Sequence, residues 1–218
     1  MKYKCLLLDH DDTVVDSTRD IHYPSFLEVL AAIRPDMTMS LEEFYKLNFH
    51  PGFIPLCREL LGFNDEEMDF EVSSWKAYIK NHTPDTFPGI KELLWDFVDA
   101  GGKVFVVSHS AELEILRHYK ELGLPTPDHV YGFDYPEHQR KPYPWPVEDI
   151  IVRYGFSKDE MIMVDDLKPG KIMADEAGID FVAVGWAHKI SDLVDEMKST
   201  SIYYCDSVDQ LREIIFRD

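Results

Sequence analysis

Short apolar segments, each four residues long, occur near the start of the chain and then recur through its second half. Such runs are typical of strands that are buried on both faces of a parallel sheet. The predicted strands are Cys5–Leu8, Val104–Val107, His129–Gly132, Met161–Val164 and Phe181–Val184.

Helical periodicity fills the segments between these strands. The i, i+3, i+4, i+7, i+8 spacing of an amphipathic helix is met by Ile90, Leu93, Leu94, Phe97 and Val98. Similar spacing predicts helices over residues 115–122 and 147–154, and the stretch Ser207–Gln210 resembles a capping box that opens a last helix. Strands alternating with helices predict an α/β fold with a doubly wound, mainly parallel, Rossmann-like sheet.

The segment from residue 17 to residue 86 breaks this rhythm, because it carries helical signals and no convincing strand. Residues 40–43 (SLEE) and 64–67 (NDEE) both have the pattern of a helix N-terminus. The second opens an apolar stripe formed by Met68, Val72, Trp75 and Ile79. We therefore predict an α/β core domain from residues 1–16 and 87–218, and an inserted all-helical cap domain from residues 17–86.

Acidic residues outnumber basic ones by 41 to 22, which gives a formal net charge of −19. This excess argues against a nucleic acid or a membrane as partner, because both are bound through clustered positive charge. A small anionic substrate remains compatible, since a metal or local donors can override the overall field. Three scattered cysteines without a CxxC pair favour a reducing compartment. We expect a cytoplasmic protein that is a monomer or a weak homodimer.

Polar side chains follow the predicted strands at their carboxyl ends, where ligands bind in open α/β sheets. A lysine precedes one of the predicted helices of the core. The residues are, in chain order, Asp9, Asp11, Asp12, Ser108, His109, Ser110, Lys141, Asp165 and Asp166. Carboxylates crowded in this way repel one another, which costs stability. We therefore expect them to bind a cation or to take part in a reaction.

Four segments, in this order, resemble the motifs of the haloacid dehalogenase-like hydrolase superfamily. LLLDHDDTVVDS is similar to the first motif, VFVVSHS to the second, KPYPWP to the third and MIMVDDLKPGKIMADEAG to the fourth. The resemblance covers nearly the full length and lies closest to the branch of phosphoglycolate phosphatases and β-phosphoglucomutases with a helical cap. It implies that the protein hydrolyses a phosphate monoester in a magnesium-dependent reaction, and that this monoester is a small phosphorylated metabolite.

The residue types of the first motif suit that chemistry on physical grounds. Asp9 is placed as a nucleophile, because a carboxylate can accept a phosphoryl group. Asp11, two residues on, is the natural acid–base partner for the leaving alcohol and for water. Thr13 is expected to fix the turn after Asp11 and to offer its hydroxyl to that carboxylate. The phosphoryl group and Asp9 repel each other, so a divalent cation is expected to bridge them. Magnesium suits this position because the available ligands are oxygen atoms.

The resemblance also assigns ligands and contacts. The implied magnesium ligands are Asp9, Asp11 through its backbone carbonyl, Asp166, and Asp165 directly or through water. Substrate contacts are implied for Thr13, His50 of the cap, Ser108, His109 and Lys141. Ser108 would hold phosphoryl oxygens, and Lys141 would neutralise charge on both the phosphoryl group and Asp9.

Three positions depart from the family pattern. Asp12 stands where glycine is common, His109 stands where asparagine is frequent, and Gly170 takes the later acidic position of the fourth motif. We expect Asp12 to be a turn residue that points to solvent. Asp165 is expected to compensate for the acid that is missing at Gly170.

Two other functions stay open beside the phosphatase. A phosphosugar mutase of the β-phosphoglucomutase type would need the same acids but would pass the phosphoryl group to a second hydroxyl. A non-catalytic protein that binds a phosphate ligand or serves regulation could retain the same fold. Dehalogenation is disfavoured, because displacing a halide does not require the acid–base carboxylate of Asp11. Phosphonate cleavage is disfavoured, because no cap lysine is singled out for a Schiff base.

Overall fold

A sheet of six parallel strands lies at the centre of the computed structural model, which describes residues 1–217. The strands are β1 (Cys5–Leu8), β2 (Lys103–Val107), β3 (His129–Tyr131), β4 (Met161–Asp165), β5 (Asp180–Val184) and β6 (Tyr203–Cys205). Their spatial order is β3-β2-β1-β4-β5-β6, so β1 lies between β2 and β4. The register pairs Cys5 with Lys103 on one side and with Met161 on the other.

Five of the six strands were predicted, each to within one residue at either end. Strand β6 was missed, although residues 202–205 (IYYC) form a short apolar and aromatic run; Tyr203 and Tyr204 are only half-buried. In β1, by contrast, every side chain is buried, as helices covering both faces of a parallel sheet require. The prediction of a doubly wound α/β sheet is confirmed.

Helices occupy most of the remaining chain. They are α1 (Tyr23–Ile33), α2 (Leu41–Phe49), α3 (Phe53–Pro55), α4 (Asp65–Ile79), α5 (Ile90–Asp99), α6 (Glu112–Leu122), α7 (Trp145–Tyr154), α8 (Lys168–Ala177), α9 (Ser191–Thr200) and α10 (Val208–Ile215). Two π-helical turns, Thr18–His22 and Leu56–Leu60, precede α1 and follow α3. Among the described residues, no helix is both long enough and apolar enough to cross a bilayer.

The chain divides into two compact units. One contains Met1–Asp16 together with the chain from Thr86 onward, and the other is Ser17–Asp85. In the first unit, Leu6 and Leu8 of β1 belong to the same buried cluster as Leu94 and Phe97 of α5. Burial of side chains of this size stabilises the fold by about 1.5–3 kcal/mol each. This apolar layer makes the centre of the sheet a rigid support for the polar residues that follow its strands.

The second unit is helical throughout its regular elements. Its apolar core is formed by Phe26, Val29, Leu30, Phe44, Leu56, Cys57, Leu61, Phe63 and Met68. The two predicted helix starts are confirmed, because Ser40 and Asn64 each cap a helix in a complete capping box. For Asn64, the side chain accepts from the backbone N–H of Glu67 at 2.9 Å, and the Glu67 carboxylate accepts from the Asn64 N–H at 2.9 Å.

The apolar stripe predicted for α4 is wrong at one position. Val72 is 39% exposed, whereas Glu71 is buried together with Met68 and Ile79. The inward face of a 3.6-residue helix passes between positions 71 and 72, and the packing of this unit selects Glu71. A carboxyl group is therefore enclosed in the helical unit without any signal in its apolar pattern.

Candidate active site

The carboxyl ends of β1, β2 and β4 meet at one edge of the sheet, because these strands are parallel neighbours. The backbone N–H of Asp9 donates to the carbonyl of Val164 at 2.9 Å, which continues the β1–β4 ladder past the end of β1. The N–H of Ser108 donates in the same way to the carbonyl of Tyr131 at 3.0 Å. This arrangement brings Asp9, Ser108 and Asp165 to the same edge, as the sequence predicts.

A buried ammonium group joins two of the carboxylates. The Nζ atom of Lys141 lies 2.8 Å from Oδ1 of Asp9 and 2.7 Å from Oδ2 of Asp165. All three side chains are at most 5% exposed. Burial alone would lower the pKa of Lys141, but Asp165 and Asp9 outweigh it and raise that pKa, so the lysine stays charged. Lys141, the lysine of the third motif, thus lies between Asp9 and Asp165 in an acidic cluster that also contains Asp166.

Asp9, Asp165 and Asp166 form a compact set of oxygen ligands. Each offers one carboxylate oxygen, and these oxygens lie within 4.8 Å of one another in a buried position. Burial, reinforced by the charges of Asp165, Asp12 and Asp9, raises the pKa of Asp166 well above its usual range. A set of crowded carboxylate oxygens matches the preference of Mg²⁺ for hard oxygen ligands, and a divalent cation would relieve the repulsion. The residues therefore fit this metal.

Asp165 is held from both sides. Its Oδ1 accepts from the backbone N–H of Leu167 at 2.7 Å, and its Oδ2 accepts from Lys141. Burial raises the pKa of Asp165 to about 7, while Lys141 opposes this shift. A Cβ atom at Gly170 would lie 2.1 Å from Asp165 Oδ2. The carboxylate of Asp165 thus occupies the space that a side chain at Gly170 would fill.

The carboxylate of Asp11 lies on a different side of the cluster. Its Oδ2 accepts from Oγ of Ser110 at 2.6 Å and, at a longer 3.4 Å, from Oγ of Ser108. Thr13 was expected to present its hydroxyl to Asp11, but its Oγ1 donates to Oδ1 of Asp166 at 3.5 Å instead. Ser110 has no role among those expected from the sequence. Its position two residues after Ser108, at a strand end, is the signal that could have identified it.

Asp12 was expected to face solvent, and this expectation is wrong. The residue is only 5% exposed, and its backbone has a φ of 57°. This left-handed conformation is the one that favours glycine, which explains why glycine is common at this position in the family. The N–H of Asp12 donates to the carbonyl of Val15 at 2.8 Å and closes the turn. The tight turn holds the side chain inside, where its charge acts on Asp166.

A cavity of about 420 Å³ adjoins Lys141 on the outer side. Its lining includes His109, Phe133, Arg140 and Tyr143. Nε2 of His109 lies 2.9 Å from the Lys141 carbonyl, which can only accept, so the imidazole donates from Nε2. The guanidinium of Arg140 lies over the Phe133 ring at 4.6 Å. These groups offer a cation and aromatic faces close to the acidic cluster.

His50 belongs to the helical unit and follows α2, where it is exposed. Its predicted contact with substrate therefore remains a prediction. The other predicted site residues, from Asp9 to Asp166, lie in the unit that contains the sheet.

Comparison with known proteins identifies the family. Residues 6–184 match the model of the haloacid dehalogenase-like hydrolases. The tyrosine-protein kinase PtkA of Mycobacterium tuberculosis is 26% identical over 129 residues, which cover 59% of this chain and 44% of that protein, so the match spans less than half of the kinase. The pyrophosphatase PpaX of Bacillus cereus is 24% identical over 199 residues, covering 87% of this chain and 86% of PpaX.

Solved structures share the fold. A predicted phosphoglycolate phosphatase from Haemophilus somnus 129pt superposes with a TM-score of 0.80 at 16% identity, covering 98% of each chain. The family model spans well over half of the sequence, and the acidic cluster lies at the strand ends where the four motifs placed it. The chain belongs to the haloacid dehalogenase-like hydrolase family.

Proposed function

We propose that this protein is a magnesium-dependent phosphatase that hydrolyses a small phosphate monoester through an aspartyl-phosphate on Asp9. The observation that carries the proposal is the buried Lys141 ammonium, which pairs with Asp9 and Asp165 next to Asp166. A lysine in this position neutralises a nucleophilic carboxylate and the incoming anionic group together. Membership of a hydrolase family supports the reaction class.

In the first half-reaction, a carboxylate oxygen of Asp9 forms a bond to phosphorus while the bond from phosphorus to the ester oxygen breaks. The leaving oxygen takes its proton from the carboxyl group of Asp11, so the alcohol departs neutral. Ser110 and Ser108 both donate toward Asp11 and fix the orientation of its carboxyl group. The Ser108 hydroxyl and the Lys141 ammonium would contact the phosphoryl oxygens, on which charge accumulates during transfer.

In the second half-reaction, a water molecule attacks the phosphorus of the aspartyl-phosphate. Asp11, now a carboxylate, takes a proton from that water, and the bond from phosphorus to Asp9 breaks. Inorganic phosphate leaves, and both aspartates return to their starting protonation states. One residue thus serves as acid and then as base, which requires a single well-oriented carboxyl group rather than two.

Asp9, Asp165 and Asp166 would hold the magnesium ion, together with the backbone carbonyl of Asp11. When bound, the ion would supply positive charge that offsets the repulsion between the phosphoryl group and the carboxylates. Lys141 alone cannot balance three buried carboxylates, so without the ion the site would repel a dianionic phosphate ester. This charge deficit is the physical reason to expect an absolute dependence on the metal.

The cavity beside Lys141 supports the proposal that the leaving group is small. At about 420 Å³ it is of a size that small-molecule sites commonly have. His109, Arg140 and the aromatic side chains of its lining would contact that group. PpaX is named a pyrophosphatase and the Haemophilus somnus protein a predicted phosphoglycolate phosphatase. Both names point to small phosphate compounds, which supports a small phosphorylated substrate for this chain. We place the protein in the cytoplasm, where its three buried, unpaired thiols would stay reduced.

The proposal is tested with a panel of phosphate monoesters, assayed for phosphate release with Mg²⁺ and with a chelator. The variant Asp9→Asn removes the nucleophile, and Asp159→Asn, an exposed acid of similar size, is the matched control. We expect release only with Mg²⁺, loss in Asp9→Asn, and an acid-stable mass adduct on the wild-type chain after rapid quenching. Release that persists in Asp9→Asn, or none from any ester, would refute the proposal.

Product analysis on hexose phosphates separates the alternatives. Conversion of one sugar phosphate into its isomer without phosphate release would identify a mutase. Tight binding of beryllofluoride with Mg²⁺ in a protein that releases no phosphate from any ester would identify a non-catalytic binding protein instead.

A further inference from the structure

His10 lies in the chain between Asp9, the proposed nucleophile, and Asp11, the proposed acid–base residue. The imidazole is fully buried, and its Nε2 lies 3.0 Å from Nδ1 of His118 on α6. The two rings are inclined by only 23°, which suits a hydrogen bond in the ring planes. The ring of Tyr119 covers the same imidazole at 5.9 Å. The residue after Asp9 is therefore bonded to a helix of the core.

The next bond in this chain fixes where the protons lie. Nη2 of Arg117 lies 2.9 Å from Nε2 of His118. A guanidinium can only donate, so Nε2 of His118 accepts and its proton is carried on Nδ1. That Nδ1–H donates to Nε2 of His10, which must then carry its own proton on Nδ1. Both imidazoles are consequently neutral, and both are the Nδ1–H tautomer.

Arg117 is itself held in place on the surface of α6. Its Nε donates to Glu114 at 2.9 Å, and its Nη1 donates to Glu121 at 3.0 Å. The guanidinium thus reaches His118 from a fixed position rather than as a freely rotating side chain. A row of hydrogen bonds runs from the charged surface of the helix to the residue beside the nucleophile.

We propose that Arg117, His118 and His10 are positioning residues that fix the Asp9–Asp11 segment against α6 through this row of hydrogen bonds. The loop before α6 already holds the other end of this segment, because Ser110 donates to Asp11. Two attachments, one at His10 and one at Asp11, restrict rotation of the backbone that follows Asp9.

The tautomers are tested without reference to catalysis, by NMR of ¹⁵N-labelled imidazoles in the full-length protein. Signals are assigned with His10→Gln and His118→Asn. In the wild type we expect both residues to show the pattern of a neutral Nδ1–H ring. Arg117→Met should abolish this fixed pattern at His118, whereas Arg212→Met, which removes another paired surface arginine, should leave it intact. An Nε2–H or cationic ring at either position in the wild type would overturn the proposal.

The catalytic consequence rests on the proposed function and is measured as kcat and KM with a monoester that the wild type hydrolyses. His10→Gln keeps an acceptor near the position of Nε2, whereas His10→Leu removes it. We expect His10→Leu to lower kcat on the order of 10- to 100-fold with KM nearly unchanged, and His10→Gln to restore most of kcat. Arg117→Met should lower kcat in the same direction.

The outcomes are distinguishable. Equal kcat in wild type, His10→Leu and Arg117→Met would overturn the positioning role, whatever the tautomers. A wild type without any hydrolytic activity would refute the proposed function, while the NMR result would still decide whether the hydrogen-bonded row exists. A fall in kcat that His10→Gln fails to restore would show a packing role for the ring instead.

Discussion

Glu71 provides a test of the structure that is independent of catalysis. It lies on α4, where the apolar pattern had placed Val72 inside, and only 6% of its surface is exposed. Burial raises the pKa of Glu71 from its ordinary 4.5 to about 7, while the charge of His22 opposes the shift. The carboxyl group is therefore protonated in the folded unit under conditions that ionise it in the unfolded chain.

The substitution Glu71→Gln keeps the size and hydrogen-bonding capacity of the protonated acid but cannot ionise. A folded-state pKa of about 7 against 4.5 corresponds to about 3 kcal/mol. The direction of the change in stability with pH follows from proton binding. Below pH 4.5 both states of Glu71 are protonated and no penalty exists. As the pH rises from 4.5 to 7, only the unfolded state loses its proton, so the wild type is progressively destabilised until the penalty is complete above pH 7.

The assay is urea unfolding at pH 5 and at pH 8, followed by circular dichroism and by tryptophan fluorescence, to which Trp75 on the same helix contributes. We expect Glu71→Gln to gain about 2–3 kcal/mol over the wild type between these two values. Asp69→Asn, an exposed acid on the same helix, is the matched control and should show no comparable gain. The same difference in stability between Glu71→Gln and the wild type at both pH values would refute the assignment of a buried, protonated carboxyl group.

Three further predictions concern the acidic cluster. Gly170→Ala should weaken Mg²⁺ binding, measured by calorimetry, at least about 10-fold, because the new methyl group displaces the Asp165 carboxylate. Wild-type affinity in this variant would contradict the close approach of Asp165 to Gly170. Lys141→Met should cost about 3–5 kcal/mol in denaturant unfolding without metal, because it leaves buried carboxylates unpaired, and an unchanged midpoint would contradict this. Ser110→Ala should lower kcat about 10-fold at constant KM, since Asp11 loses its shorter hydrogen bond; a change in KM alone would argue against that role.

The sequence predicted the parts of this molecule that depend on local pattern. Continuous apolar runs identified five strands, and parallel pairing then required Asp9, Ser108 and Asp165 to share an edge. Family membership followed from the same motifs. These inferences need only the order of residues along the chain and the fact that neighbouring parallel strands end together.

The remaining features depend on three-dimensional packing that no local pattern encodes. Asp12 points inward because its backbone is left-handed. An aspartate in a sequence does not predict this conformation, which is usual only for glycine. Thr13 reaches Asp166, and His10 reaches His118, across contacts between distant segments. Strand β6 pairs with β5 as the outermost strand of the sheet, where Tyr203 and Tyr204 are only half-buried.

The position of β1 in the middle of the sheet has a consequence for the order of events during synthesis. Thr13 and Asp166, which are joined by a hydrogen bond, are 153 residues apart in the chain. Pairings at such separation form late, because loop closure must precede them. Asp9, the proposed nucleophile, is synthesised well before Lys141, Asp165 and Asp166, so the acidic strand end stays incomplete until β4 has docked. We therefore expect Mg²⁺ affinity to appear only after β4 has joined the sheet.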